Sequence, residues 1–210
     1  MKVLYLGCFC EPTISTFIKE CTKGVITVSA TTFQKALLAG CNECGIRPDY
    51  IVNVPDIGSF PFRCNNLFFS KSKFEYASIK GVNASFFNVT YLKKCSIYHT
   101  IMREAKLWLN KNREEKVTIL VYSLIYPYLK AAIDLKKMYP NVQICCIVLD
   151  LPEYFGDSTS LLYRFLGNLE TKRIYSLVPS VDSFVLLTKY MRVQKTEQTV
   201  TAKTAMLLQF

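Results

Sequence analysis

The chain has 210 residues, of which 50% are hydrophobic and 20% charged, with 8 Gly and 8 Pro. That composition excludes a disordered or collagen-like protein and leaves ample material for one filled core. Lys and Arg outnumber Asp and Glu by 26 to 16, a net charge of +10, which favours anionic partners: nucleic acid, an anionic membrane surface or phosphorylated ligands.

Val3–Leu6 is a short apolar run closed by Gly7 and reads as a first strand. Pro12 opens a helix with Ile14, Phe17, Ile18 and Cys21 on one face. Val25–Val28 is expected to be a second strand, and Thr31 or Thr32 to cap a helix lined by Phe33, Ala36, Leu37 and Cys41 and stopped by Gly45. Tyr50–Val54 is a third strand, ended by the turn sequence Pro55–Gly58. Ser59–Val82 has no clear period and is expected to be an irregular excursion over the surface, with strand character returning at Ala84–Val89.

Ile97–Asn112 gives the clearest helical pattern, with Ile97, Ile101, Ala105, Trp108 and Leu109 inward and Arg103, Lys106, Asn110 and Arg113 outward. Val117–Tyr122 is a strand, and Pro127 starts a helix that Pro140 ends. Ile144–Leu149 is an unbroken apolar run, as expected of a strand buried on both faces of a parallel sheet. Asp157 or Ser158 then caps a helix with Leu162, Phe165, Leu166 and Leu169 inward, and Ser183–Leu187 is a last strand. Short apolar strands alternating with amphipathic helices predict an α/β fold: a single Rossmann-like, doubly wound parallel sheet of about seven strands flanked by helices. It occupies residues 1–191. Residues 192–210 carry no recognisable period and read as an irregular tail.

Several chemistries are disfavoured. Gly7-Cys8-Phe9-Cys10-Glu11 lacks the glycines of a dinucleotide fingerprint, and no phosphate-binding G-x-x-x-x-G-K-[ST] loop occurs. Cys41-Asn-Glu-Cys44 has redox or zinc spacing but no second pair, and His99 is the sole histidine, so no metal site and no cofactor are expected. Nine cysteines, odd in number and scattered, suit a reducing, cytoplasmic setting. Met1-Lys2 leads straight into a strand, not a signal peptide. The longest apolar stretch, Val117–Tyr126, is too short to span a bilayer. No module or aromatic-basic signature for nucleic acid is present.

Open parallel sheets bind ligands beyond the carboxyl ends of their strands. The loops after the first, fifth and sixth strands of that prediction, Gly7–Glu11, Tyr122–Tyr126 and Asp150–Gly156, should share one rim. The rim offers carboxylates (Glu11, Asp150, Glu153), hydroxyls (Tyr122, Ser123, Tyr126) and aromatic faces (Phe9, Tyr154, Phe155), a mixture suited to a sugar. Asp150 is equally a turn residue before Pro152, and Asp157 a helix cap; both readings stay open.

The opening VLYLG strand, Thr32-Phe33-Gln34-Lys35, VLDLPEYFGD and Val181–Met191 together resemble the amino-terminal, acceptor-side domain of bacterial GT-B glycosyltransferases of the retaining, cell-surface-polysaccharide kind. The resemblance implies binding of a saccharide or lipid-linked acceptor, with Asp150 as the acceptor-side catalytic candidate and Glu11, Tyr122, Ser123, Glu153 and Tyr154 binding substrate. By the resemblance, the nucleotide-sugar would bind a second domain with two glutamates separated by seven residues, a domain expected to be absent here. A truncated product or a separate donor-binding chain would each fit. Apart from the resemblance, the basic residues, densest at Lys93-Lys94 and Lys172-Arg173, read either as solvated helix faces or as a surface toward an anionic membrane. With the reduced cysteines, the expectation is a cytoplasmic protein, peripheral at the inner membrane face. A non-catalytic binding or partner subunit of the same fold is the alternative.

Overall fold

The computed structural model describes residues 1–24, 28–90, 92–152, 161–186 and 205–207. In chain order these form β1 (Lys2–Gly7), α1 (Pro12–Cys21), α2 (Ser29–Glu43), β2 (Tyr50–Asn53), β3 (Phe68–Phe69), β4 (Ser72–Tyr76), β5 (Ile79–Asn83) and β6 (Phe86–Phe87). There follow α3 (Lys93–Leu109), β7 (Val117–Tyr122), α4 (Tyr126–Met138), β8 (Val142–Val148), α5 (Leu161–Leu177), β9 (Ser183–Leu186) and β10 (Ala205–Leu207). Eight strands make one sheet in the order β10, β9, β8, β7, β1, β2, β5, β4. All pairings are parallel except that of β4 with β5. The sheet is α/β and doubly wound, as the alternation of elements predicts.

Strand register shows which helices cover which face. Leu4 pairs with Tyr50, and Tyr50 stacks on Trp108 of α3 at 6.3 Å, so α3 covers the face of Leu4. Tyr5 points the other way, as alternation along a strand requires, and its hydroxyl donates to Gln34 of α2 at 3.0 Å. Tyr122, on the same face as Tyr5 by register, meets Phe33 of α2 at 6.3 Å. Hence α2 lies on one face, and α3 and α4, which pack side by side, on the other. The central strand β1 is buried on both faces, with Leu4, Tyr5 and Leu6 all inaccessible. In β7 and β8 the inaccessible Ile119, Val121, Ile144 and Cys146 share the face of Leu4, while Leu120 and Cys145 on the other face are half-buried.

Several expectations need correction. The strand expected at Val25–Val28 falls mainly on residues 25–27, outside the described residues. Val28 is the N-cap of α2 and has helical backbone angles. Neither Thr31 nor Thr32 caps α2, which begins at Ser29; Ala36 is exposed, and Gln34 and Leu38 are the buried residues. Ser59–Val82 is not irregular throughout. It contains the antiparallel β4–β5 hairpin, whose β5 joins the main sheet beside β2. The turn uses Ala77 and Ser78 at φ 50° and 61°, a conformation that Gly, Asn or Asp would have advertised. The strand expected at Ala84–Val89 shrinks to β6, which pairs with β3 in a separate two-stranded ribbon. On α5, Phe165, Leu166 and Leu169 face solvent rather than the core, while the cap expected at Asp157 or Ser158 lies outside the described residues. Within the tail, Ala205–Leu207 pairs in parallel with β9. Among the described residues no helix is long and apolar enough to cross a membrane.

Candidate functional site

From β1 the sheet is extended in opposite directions, toward β2 on one side and toward β7 and β8 on the other. This is the switch in strand order where open α/β sheets leave a crevice at their carboxyl edge. The loops that follow β1, β2, β7 and β8 meet there.

The loop after β1 is held from below by side chains. Gly7 has no room for a Cβ, which would lie 2.6 Å from the Tyr5 ring and 3.1 Å from Gln34 Oε1. Gln34 Oε1 accepts from the Cys8 N–H at 2.9 Å, and Thr31 Oγ1 accepts from the Cys10 N–H at 3.0 Å. Asn53, at the end of β2, accepts from the Phe9 N–H at 2.9 Å and donates back to the Phe9 carbonyl at 2.8 Å. Three consecutive backbone N–H groups are therefore satisfied by side chains from α2 and β2, which fixes the loop without a strand partner.

Glu11 continues this network inward. It is the N-cap of α1 and only 1% exposed. Its carboxylate accepts from the Thr13 N–H at 2.7 Å, from the Thr13 hydroxyl, and from Asn83 Nδ2 at 2.9 Å. Asn83 Oδ1 in turn accepts from Asn53 Nδ2 at 2.7 Å. Glu11 thus builds the rim rather than presenting a free carboxylate to it. Phe9 is also inside, fully buried against Phe74 and Tyr76.

The remaining rim groups differ in exposure. Ser123, the first residue beyond β7, is buried and adopts φ 63°, a left-handed conformation uncommon for a non-glycine residue and concentrated at functional sites. Its N–H donates to the Ile147 carbonyl at 2.8 Å, locking it against β8. Asp150 is exposed, two residues beyond the end of β8. Burial pushes the Tyr122 phenol well above its ordinary value, and Cys8, Asp150 and Asp56 act in the same direction. Tyr126 is half-buried at the start of α4. Glu153, Tyr154 and Phe155 lie outside the described residues.

Two further rim residues, Asp56 and Lys93, are not among the site residues expected from the sequence. Asp56 follows β2 much as Asp150 follows β8, and its N–H donates to the Cys8 carbonyl at 3.1 Å. Asp56 is exposed, yet the protein packed beside it raises its carboxyl above the usual range, opposed by the Lys93 ammonium. Lys93, in the first turn of α3, donates to the Ile57 carbonyl. Burial lowers its pKa, and Asp56 counters that effect. Position just after a strand could have flagged Asp56; Lys93 stands out in the sequence only as half of the basic pair Lys93-Lys94, ahead of the first apolar residue of the helical pattern.

A separate open groove of about 660 Å³ lies between the β3–β6 ribbon and α3, lined mainly by apolar side chains such as Phe68, Phe87 and Leu92. Its lining shares no residue with the rim. Among the described residues no cluster of three or more His, Cys, Asp or Glu side chains is arranged to hold a metal ion.

No protein-family model matches the chain, and no curated protein does. Solved structures do match. Sucrose-phosphate synthase from Thermosynechococcus elongatus superposes with a TM-score of 0.54 at 10% identity, covering 99% of this chain and 47% of that one. The fold is that of one half of a GT-B glycosyltransferase. A looser match is an alpha,alpha-trehalose-phosphate synthase (UDP-forming) from Burkholderia xenovorans, solved with glucose-6-phosphate. Its TM-score is 0.45 at 10% identity, over 90% of this chain and 42% of that one. The chain spans less than half the length of each of these enzymes.

Proposed function

We propose that this chain is the acceptor-binding half of a retaining glycosyltransferase of cell-surface polysaccharide synthesis. Such an enzyme transfers a sugar from a nucleotide-sugar to a saccharide or lipid-linked acceptor. The observation that carries the reading is the rim at the strand-order switch. A loop immobilised by Gln34, Thr31 and Asn53 lies at the carboxyl edge of the sheet, where Asp56, Ser123 and Asp150 follow β2, β7 and β8 and Tyr126 and Lys93 open α4 and α3, on a half-GT-B fold.

The chemistry of each group suits an acceptor. Carboxylates accept hydrogen bonds from ring hydroxyls, and an exposed one can also take up a proton from the attacking hydroxyl. Asp150 is the candidate for that role. The Ser123 hydroxyl and the Tyr126 ring add a polar contact and a flat apolar face. Lys93, beside Asp56, supplies a positive charge for an anionic acceptor group. Donor binding is assigned to a second domain or chain, which fits a length under half that of the matched enzymes.

The test is a transfer assay in which this chain is combined with a donor-binding domain. Asp150→Asn keeps the shape of the side chain and removes its charge. Because Asp150 is exposed, the melting temperature should not move, while transfer should fall by roughly tenfold or more, as for loss of an acid–base group. Unchanged transfer would assign Asp150 to the turn before Pro152.

A further inference from the structure

The middle of α5 presents apolar side chains to solvent. Every residue from Phe165 to Leu169 is exposed, with Phe165 at 60%, Leu166 at 43% and Leu169 at 38%. At about 100° per residue, these three side chains fall within about 100° of one another on the helix. Ile174, which is 1% exposed and anchors α5 to the core, projects about 130° from the middle of that stripe. The apolar stripe therefore points away from the body of the protein, so it is not a core face left slightly open. A fully exposed Leu or Phe forgoes roughly 1.5–3 kcal/mol of burial, and three on one stripe call for a cover.

The same stripe continues into Lys172 and Arg173, one turn further on, both exposed. The acid on this helix, Glu170, is engaged by Lys94 from the first turn of α3, so its charge is neutralised locally. The exposed side of α5 is thus apolar for little more than one turn and then cationic, on a chain of net charge +10. Apolar side chains on one face with cations beside them are what an interfacial helix needs: the former enter the headgroup–acyl boundary and the latter pair with lipid phosphates. A second copy of this chain would bring like charges together along the same stripe, which disfavours it as the cover.

We propose that the outward stripe of α5, Phe165, Leu166 and Leu169 with Lys172 and Arg173, docks this protein on an anionic lipid bilayer. Docking is independent of what the rim binds, and it holds the chain at the surface with α5 lying in the interface plane.

The whole chain is tested by co-sedimentation with vesicles of phosphatidylcholine alone and of phosphatidylcholine with phosphatidylglycerol. Binding should be strong to the anionic vesicles, weak to the neutral ones, and should weaken as salt rises. Phe165→Ser with Leu169→Ser should weaken anionic binding at least tenfold. Lys172→Glu with Arg173→Glu should do the same. Both pairs are exposed, so circular dichroism should show unchanged melting. Three results would overturn the proposal: no binding of the parent chain to anionic vesicles, equal binding to both vesicle types, or binding that neither double variant reduces. A lipid-free dimer in analytical ultracentrifugation that Phe165→Ser with Leu169→Ser dissociates would also overturn it, by assigning the stripe to a second copy.

Discussion

Asn53→Ala should be among the most destabilising single changes in this protein. Asn53 is fully buried and its amide makes three hydrogen bonds: to the Phe9 N–H, the Phe9 carbonyl and Asn83 Oδ1. Alanine removes all three and leaves three buried polar groups without these partners, each costing roughly 1–3 kcal/mol. A water entering the small space would relieve part of that cost, which leaves about 3–5 kcal/mol. For a domain with a typical stability of about 5–15 kcal/mol, this is a large fraction. Urea unfolding followed by circular dichroism reads it directly: at a slope of about 2–3 kcal/mol/M, the midpoint should fall by about 1–2 M. Lys73→Ala, on the exposed edge strand β4, should change stability by less than about 0.5 kcal/mol and serves as the control. A loss below about 1 kcal/mol for Asn53→Ala would show that the Cys8–Glu11 loop is not held by this amide and would remove the basis for a pre-formed rim.

Other expected outcomes follow from the same structure. Ser123→Gly should leave the melting temperature unchanged or raise it, since φ 63° is free for glycine, whereas Ser123→Val should lower it by several degrees; a large drop for glycine would show that the hydroxyl is structural. Iodoacetamide at pH 8, read by mass spectrometry, should label the exposed Cys44 and Cys95 first, and Cys8, Cys21 and Cys146 only through unfolding; early labelling of the buried thiols would contradict the packing. Stability should fall as pH rises above about 9. Burial holds the Cys21 thiol up to about 11 against its ordinary 9 and raises the Tyr5 and Tyr128 phenols, so the unfolded state loses protons that the folded state keeps. Equal urea midpoints at pH 7 and pH 10 would oppose this.

Much of the sheet is legible in the sequence because its central strands are largely apolar on both faces, fully buried in β1 and partly so in β7 and β8. The runs at Val3–Leu6, Val117–Tyr122 and Ile144–Leu149 are apolar without alternation, and each becomes a strand of the parallel core. The β4–β5 hairpin is hidden for a local reason: its turn places Ala77 and Ser78 at positive φ, so no Gly or Asn marks it. Ser72–Tyr76 does alternate, with Phe74 buried between exposed Lys73 and Glu75, but the run is short. On α5, periodicity reveals a stripe at Phe165, Leu166 and Leu169 without saying what covers it, and a neighbour inside the fold is only one answer.

The site is legible in part for a related reason. Topology alone brings the loops after β1, β7 and β8 together, so Asp150, Tyr122 and Ser123 can be placed near one another from strand order. Orientation cannot be read that way. Glu11 lies in the expected loop but turns inward as the cap of α1, because Thr13 and Asn83 supply three donors to it. Asp56 reaches the rim through the Cys8 carbonyl, a contact across 48 residues of chain that no local pattern encodes.

The central claim, an acceptor-side half whose crevice is the switch-point rim, is tested most directly by what the chain alone binds and where. Isotope-labelled protein titrated with short saccharide acceptors should show shift changes concentrated at Ser123, Tyr126, Asp150 and Asp56, and calorimetry with nucleotide-sugars should show no micromolar binding. Tight nucleotide-sugar binding by this chain, or saccharide shifts confined to the groove beside Phe68 and Phe87 with the rim silent, would contradict it.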